Sequence, residues 1–377
     1  MLTKIRIKNF RSFKNETIID FSATKSAMLK DTNIENGVLK GCLFVGGNAS
    51  GKTNAIGAIS ALMQLLFNPL DTDVTPFVCW FSADKELELE YTFKFEKDTI
   101  VYLLVLDKKG IIKREHLVLN NEVLIDRIGL SARTSINGNE IYYSNEVEER
   151  SLLLKSIYYQ NNYIDAPIIK KWFEYLQNSV CFNAGQAKAF DYNNKVRFND
   201  YLAVYGADKI NDFLNRFNFR CELLFVRKDE YQFRQIELKE LNVLHKDTRC
   251  RVPIEHESGG LKTLLSILPS ILQVTERGGM LIVDQFGGAF HNELEELIIC
   301  YFMSEAKNAQ LFFTSHSTNI MKLSLLRPDQ IYALDYGKSG STVKRLSSKL
   351  PRDTQNMEKM YLGGVFGGLP NYTDGNK

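Results

Sequence analysis

One stretch restricts the fold more than any other: Gly46-Gly47-Asn48-Ala49-Ser50-Gly51-Lys52-Thr53. A largely apolar run from Leu39 to Val45 leads into it. Behind it, Asn54–Phe67 carries Ile56, Ile59, Leu62, Leu65 and Leu66 at helical spacing. Strand, glycine loop and helix is the order that turns backbone N–H groups toward phosphate oxygens. Glycine allows the curl, successive N–H groups line it, and the helix contributes the positive end of its dipole. Every specified position of the P-loop pattern is matched. The spacing sets Lys52 to reach the β- and γ-phosphates of a nucleotide and Thr53 to ligate Mg²⁺. Gly46, Asn48, Ala49, Ser50, Gly51 and Asn54 complete the expected contacts.

Three further elements belong with that loop. Met280-Leu281-Ile282-Val283-Asp284 is an apolar strand ending in an acid, the usual second acid of a P-loop site, so Asp284 is expected to hold Mg²⁺. Ser258-Gly259-Gly260 follows Glu257 and opens a helix expected over Leu261–Gln273. Its hydroxyl and N–H groups are a second phosphate-binding helix start, although Ser258 also suits a plain N-cap. His316 stands just after an apolar strand, Leu311–Thr314.

Elsewhere the pattern is mixed. Residues 3–8 and 17–21 read as strands, and period-two alternation over 85–127 predicts antiparallel strands joined by polar turns. Residues 147–217 read as helical, with Trp172 and Phe173 in a local core. Strands are expected at Cys221–Arg227 and Gln235–Val243, a helix at Glu293–Ala306, and a closing hairpin from Gln330–Asp335 and Thr342–Leu346. These elements suggest an N-terminal lobe over 1–127, a mainly helical insertion over 128–220 and a C-terminal lobe over 221–377. With 377 residues, net charge +2 and 44% hydrophobic residues, disorder and uniform basic binding to nucleic acid are disfavoured. No apolar run nears the ~20 residues of a membrane span, and no signal peptide is read at the start, so the expected location is cytoplasmic. The six cysteines form no CxxC element and are expected as buried free thiols.

Taken together, these motifs resemble the ABC-type ATPases of the RecF/SMC/OLD group, and more narrowly the stand-alone AAA-type ATPases of prokaryotic abortive-infection and Rlo-type defence loci. Residues 1–70 and 250–377 carry the likeness, including the run Ile7 to Phe13 and the tail Tyr361 to Pro370. The resemblance implies an α/β, ABC-type P-loop NTPase fold: a mixed sheet with helices, plus an antiparallel β lobe. It implies a homodimer or higher homo-oligomer that sandwiches ATP and Mg²⁺ between the P-loop of one chain and Ser258, Gly259 and Gly260 of the other. It makes His316 the switch histidine at the γ-phosphate, brings Arg11 near the nucleotide, and makes His291 a candidate to cross the dimer interface. The family's Q-loop glutamine has two candidates, Gln160 and Gln186.

The chain departs from that family at one catalytic position. Where a Glu normally follows the Walker-type Asp284 and polarises the attacking water, this sequence has Gln285. An amide can orient water but cannot act as a base. Whether introduced or natural, a Glu-to-Gln form is expected to bind ATP well and turn it over slowly. Only 61 residues follow His316, too few for the ~100 of a fused nuclease domain. The expectation is therefore a separate effector, a nuclease or toxin, gated in anti-phage defence with DNA or a phage-derived trigger. The alternative is a RecF/SMC-like DNA repair or maintenance ATPase that clamps DNA. A nucleotide-dependent scaffold without useful turnover is a third reading.

Overall fold

The computed structural model describes residues 1–68, 73–83, 86–191, 196–225, 241–288, 290–349 and 356–369. Alternation dominates the first lobe. Strands β1 (Leu2–Lys8) and β2 (Thr17–Asp20) pair antiparallel, and a short α1 (Lys30–Asn33) with the ribbon β3 (Ile34–Glu35) and β4 (Val38–Leu39) leads to β5 (Gly41–Gly46). The helix α2 (Lys52–Phe67) follows the glycine loop. Then come β6 (Glu86–Phe95), β7 (Asp98–Asp107), β8 (Ile112–Leu119), β9 (Glu122–Ile128), β10 (Ser131–Thr134) and β11 (Ile141–Tyr143). They build an eight-stranded sheet in the order β11-β10-β9-β8-β7-β6-β1-β2. In β6 the buried set Leu87, Leu89, Tyr91, Phe93 and Phe95 has period two, so one face of this sheet is core and the other is wet.

The next segment supplies α3 (Leu153–Tyr159), α4 (Pro167–Gln177), β12 (Val180–Asn183), β13 (Lys188–Phe190), α5 (Phe198–Tyr205) and α6 (Asp208–Arg216). Its helices are interrupted by β12 and β13, which join the central sheet, and the preceding residues 131–143 belong to the antiparallel sheet as β10 and β11. β12 and β13 escape a sequence reading because they have four and three residues, too few to establish a period. A small sheet of β14 (Cys221–Leu224), β15 (Asn242–His245) and β16 (Cys250–Pro253) follows. The strand expected at Gln235–Val243 lies mostly outside the described residues.

The rest of the chain alternates helix and strand: α7 (Gly259–Arg277), β17 (Gly279–Asp284), α8 (Asn292–Glu305), β18 (Ala309–Thr314), the hairpin of β19 (Ile331–Gly337) and β20 (Gly340–Arg345), and α9 (Met357–Leu362). The seven-stranded central sheet runs β13-β12-β17-β18-β5-β19-β20, with β12, β17, β18, β5 and β19 parallel and the outer two antiparallel. Both faces are covered, which is why these strands read as unbroken apolar runs. Cys42, Phe44, Met280, Ile282, Phe312, Tyr332 and Leu334 face a core shared with the antiparallel lobe and α2–α4. Leu43, Val45, Leu281, Val283, Leu311, Phe313 and Ala333 face the core formed with α5–α8.

A buried charge joins the antiparallel lobe to α3. Glu115 accepts from the Leu153 and Leu154 amides at 2.8 Å each and from Tyr102 Oη at 2.9 Å, beside Arg127 Nη1 at 3.4 Å. Both Glu115 and Arg127 are fully buried. Glu115→Ala leaves the Arg127 guanidinium without its counter-charge and is expected to cost about 3–5 kcal/mol of stability in denaturant unfolding. A loss below about 1 kcal/mol defeats this account. Of the six free cysteines, Cys250 and Cys300 are exposed and Cys181 is half-buried, contrary to the expectation that all were buried.

Candidate functional site

Four parallel strands deliver their C-terminal ends to one edge of the central sheet, where α/β proteins bind ligands. β5 brings Gly46–Thr53, β17 brings Asp284 and Gln285, β18 brings Thr314 to His316, and β12 brings Asn183 to Gln186. The register places Asn183 opposite Asp284.

The glycine loop is held tightly. Gly46 and Gly51 have φ of 155° and 104°, and a Cβ on Gly51 would stand 2.3 Å from Ser341 Oγ. Ser341 Oγ donates to the Ser50 carbonyl at 2.8 Å and lies 2.7 Å from Ser12 Oγ, which accepts from Asn54 Nδ2 at 2.7 Å. Lys52 folds back over the loop, donating to the Gly46 and Gly47 carbonyls at 2.9 and 2.8 Å. Burial lowers its pKa, with Asp284 opposing. The first turn of α2 contains no acidic residue, so the positive end of the helix is uncompensated within its own sequence.

Around Asp284 a hydrogen-bond chain fixes the acid. The Gln285 N–H donates to Thr314 Oγ1 at 2.8 Å, and Thr314 Oγ1 donates to Asp284 Oδ1 at 2.7 Å. Thr53 Oγ1 reaches Asp284 Oδ2 at 3.0 Å. Thr53 and Asp284 form an all-oxygen pair suited to Mg²⁺, which is bound by one or two protein oxygens together with water and phosphate. Among the described residues no cluster of three His, Cys, Asp or Glu could hold a metal unaided.

His316 is exposed above this edge. Partial desolvation of the ring, reinforced by Lys52 and opposed by Asp284, lowers its pKa and so favours the neutral form. Gln285 takes a left-handed φ of 58°, and its Oε1 lies over the loop after β12: a Cβ on Gly185 would be 2.5 Å from it. Gln186 is in that loop, whereas Gln160 caps the end of α3, so only Gln186 shares the edge. Arg11 stacks on Phe10 and Phe77, at 5.4 and 5.8 Å, and lines a cavity of about 170 Å³ with Thr53, Asn183 and Asp284.

Ser258 and its glycines stand apart. Ser258 caps α7, accepting from the Leu261 amide at 3.3 Å, so the N-cap reading describes its contact within the chain. Ser258, Gly259 and Gly260 are exposed, and a Cβ on Gly259 would meet nothing within 4 Å. Among the described residues this turn makes no hydrogen bond to the glycine loop. His291 is likewise exposed and caps α8, its Nδ1 taking the Glu293 amide at 3.4 Å. The sequence reading missed Thr314, Ser12 and Ser341. Small hydroxyl residues carry no periodic signal, and only the fold brings them to the loop.

Residues 1–200 match the family described as the AAA ATPase domain, and residues 187–322 match "AAA domain, putative AbiEii toxin, Type IV TA system". No curated protein matches the chain. In fold it is similar to the SMC head domain from Thermotoga maritima, with a TM-score of 0.51 at 15% identity, covering 91% of this chain and 98% of that one. It is similar to the SmcHead bound to the C-winged helix domain of ScpA in the same way, with a TM-score of 0.51 at 14% identity and coverage of 91% and 97%. The fold is that of an SMC head-like P-loop ATPase, and the chain belongs to the AAA ATPase domain family.

Proposed function

We propose that this chain binds ATP with Mg²⁺, dimerises around it, and gates a separate effector in anti-phage defence. One observation carries the reading. A complete phosphate loop, a braced acid and a histidine share one sheet edge, while the Ser258 helix start is exposed, bonded to its own helix and, among the described residues, to nothing in the glycine loop. Each half-site lacks what the other presents, so a second copy turned face to face supplies the missing donors.

The loop N–H groups and Lys52 bind and orient the phosphates. Thr53 and Asp284 would hold Mg²⁺, which when bound neutralises developing charge on the phosphates. Neutral His316 donates a hydrogen bond toward the γ-phosphate, and Gln285 orients the water without taking its proton. ATP binding then closes the dimer and hydrolysis opens it.

The defence role draws support from the AbiEii description matched by residues 187–322. For the DNA-clamp alternative, two members of the basic pairs Lys170-Lys171 and Lys344-Arg345 are already engaged within the chain. Lys171 pairs with Glu96 at 2.9 Å, and Arg345 donates to the Asp329 carbonyl at 2.7 Å and lies over Tyr332.

Ser258→Arg tests the sandwich. With Mg-ATP the parent is expected to elute as a dimer. The variant should bind ATP with unchanged affinity and remain a monomer. Dimerisation of the variant, or its loss of ATP binding, defeats the assignment of Ser258 to the opposite site.

A further inference from the structure

Beneath the site lies a carboxyl that none of the steps above uses. Glu295 on α8 is 0% exposed, and neither Oε1 nor Oε2 has a hydrogen-bond partner. An unpaired buried carboxylate is strongly disfavoured, so the group holds its proton to higher pH than an exposed acid. Burial pushes its pKa up to about 7, with Glu296 adding to the shift and Ser317 opposing it.

Two functional loops converge on it. A Cβ built on Gly287 would stand 2.2 Å from Glu295 Oε1 and 2.6 Å from Ser315 Oγ. Gly287 lies in the turn after Asp284 and Gln285. Ser315 lies between Thr314, which holds Asp284, and His316. Ser315 Oγ accepts from the Ser317 amide at 3.0 Å, and among the described residues its own O–H donates to no acceptor. A carboxyl with no well-formed hydrogen bond, approached only by the Ser317 side chain, thus flanks the same Gly287 position as a hydroxyl whose proton has no acceptor among the described residues.

We propose that Glu295 is a positioning residue for His316. As the 315–317 loop moves onto the nucleotide, the Ser315 hydroxyl turns to donate to Glu295. The carboxyl releases its proton to solvent, and the resulting carboxylate locks the loop to the turn at Phe286–Gly288. The coupling to ATP rests on the nucleotide reading above.

The surroundings leave few competing charges. On α8, Glu296 is paired with Lys322, and His291 is exposed one turn earlier. The turn at Phe286–Gly288 has no ionisable group, and the 315–317 loop brings His316 alone. Lys30 and Asp31 on α1, and Lys262, Glu276 and Arg277 on α7, sit on helices packed against α8 but do not perturb Glu295.

The test uses the parent and the isosteric Glu295→Gln variant. Ring carbons of His316 are followed by NMR from pH 5 to 9, with the signal assigned through His316→Asn. The parent is expected to show a step near pH 7 separate from the ring's own lower titration, and the variant is expected to lack it. Titration calorimetry with Mg-ATP at pH 7, in buffers of different ionisation enthalpy, should release about half a proton more from the parent than from the variant. Glu295→Asp, which keeps an ionisable group with shorter reach, should move the NMR step without abolishing it and serves if the Gln variant does not fold.

Equal proton release from parent and variant, with Mg-ATP bound to both, overturns the proposal. If the parent does not bind Mg-ATP, the nucleotide reading fails instead. The Glu295–His316 link is then decided by the nucleotide-free titration, where a step lost in the variant supports it and no step in the parent overturns it.

Discussion

Gln285→Glu is expected to raise the maximal ATP turnover about 10²–10⁴-fold while leaving nucleotide affinity within about twofold, the range a positioned general base contributes. The substitution changes charge and not shape. Backbone strain is the same for both residues, because neither is glycine and the φ of 58° is held by the Gln285 N–H to Thr314 Oγ1 bond. The side chain is exposed at the sheet edge beside Asp284, over the loop at Gly185, so a carboxylate there remains hydrated and ionised. An amide at this position donates and accepts hydrogen bonds to a water but cannot take its proton. The gain should therefore appear in kcat alone, because substrate binding depends on the phosphate loop and Lys52. Phosphate release measured at saturating Mg-ATP checks it. A rate within twofold of the parent would show that position 285 is not the water-activating residue, and would favour a chain that uses nucleotide only to assemble.

Much of this site was legible in sequence because its parts are local. Strand, loop and helix around Gly46–Thr53 are contiguous, and Met280–Asp284 announces itself as a buried strand with an acid at its end. The parallel order of β5, β18 and β17 cannot be read locally, since only the folded sheet brings Thr53 and Asp284, 231 residues apart, within hydrogen-bond reach. The same limit hid β12. Its four residues lie inside a helical stretch, and only their pairing with β17 reveals that Asn183 and Gln186 reach the acid's edge. Polar braces were invisible for a different reason. Ser12, Ser341 and Thr314 act through single hydroxyl bonds to partners far along the chain, and Glu295 looked like any acid on an amphipathic helix until its burial was known.

Removing the ammonium at position 52 is expected to weaken ATP binding about 100-fold or more, the scale of losing one partner of a buried, charge-assisted contact. Lys52 is only 8% exposed, and its Nζ holds two loop carbonyls, at Gly46 and Gly47. Those carbonyls are neutral acceptors at the mouth of the loop, so the lysine can exchange them for the far stronger phosphate oxygens at little cost. In Lys52→Ala the two bonds vanish and water can replace them, so the fold should lose no more than about 1–2 kcal/mol. Binding should fall far more, because the uncompensated start of α2 alone must then hold the phosphate charge. Lys52→Arg is expected to fail as well. Its planar fork needs more room than an ammonium in a loop so close that even a Cβ on Gly46 or Gly51 would clash with Ser50 or Ser341. Calorimetric titration with Mg-ATP checks both variants, and thermal unfolding separates a lost ligand from a lost fold. Affinity within about threefold of the parent in a folded Lys52→Ala variant would leave the loop without a nucleotide to bind. The same variant carries the test into cells. Expressed with its neighbouring gene, the parent should reduce phage plaque counts and Lys52→Ala should restore them, whereas equal counts would detach the ATP site from defence.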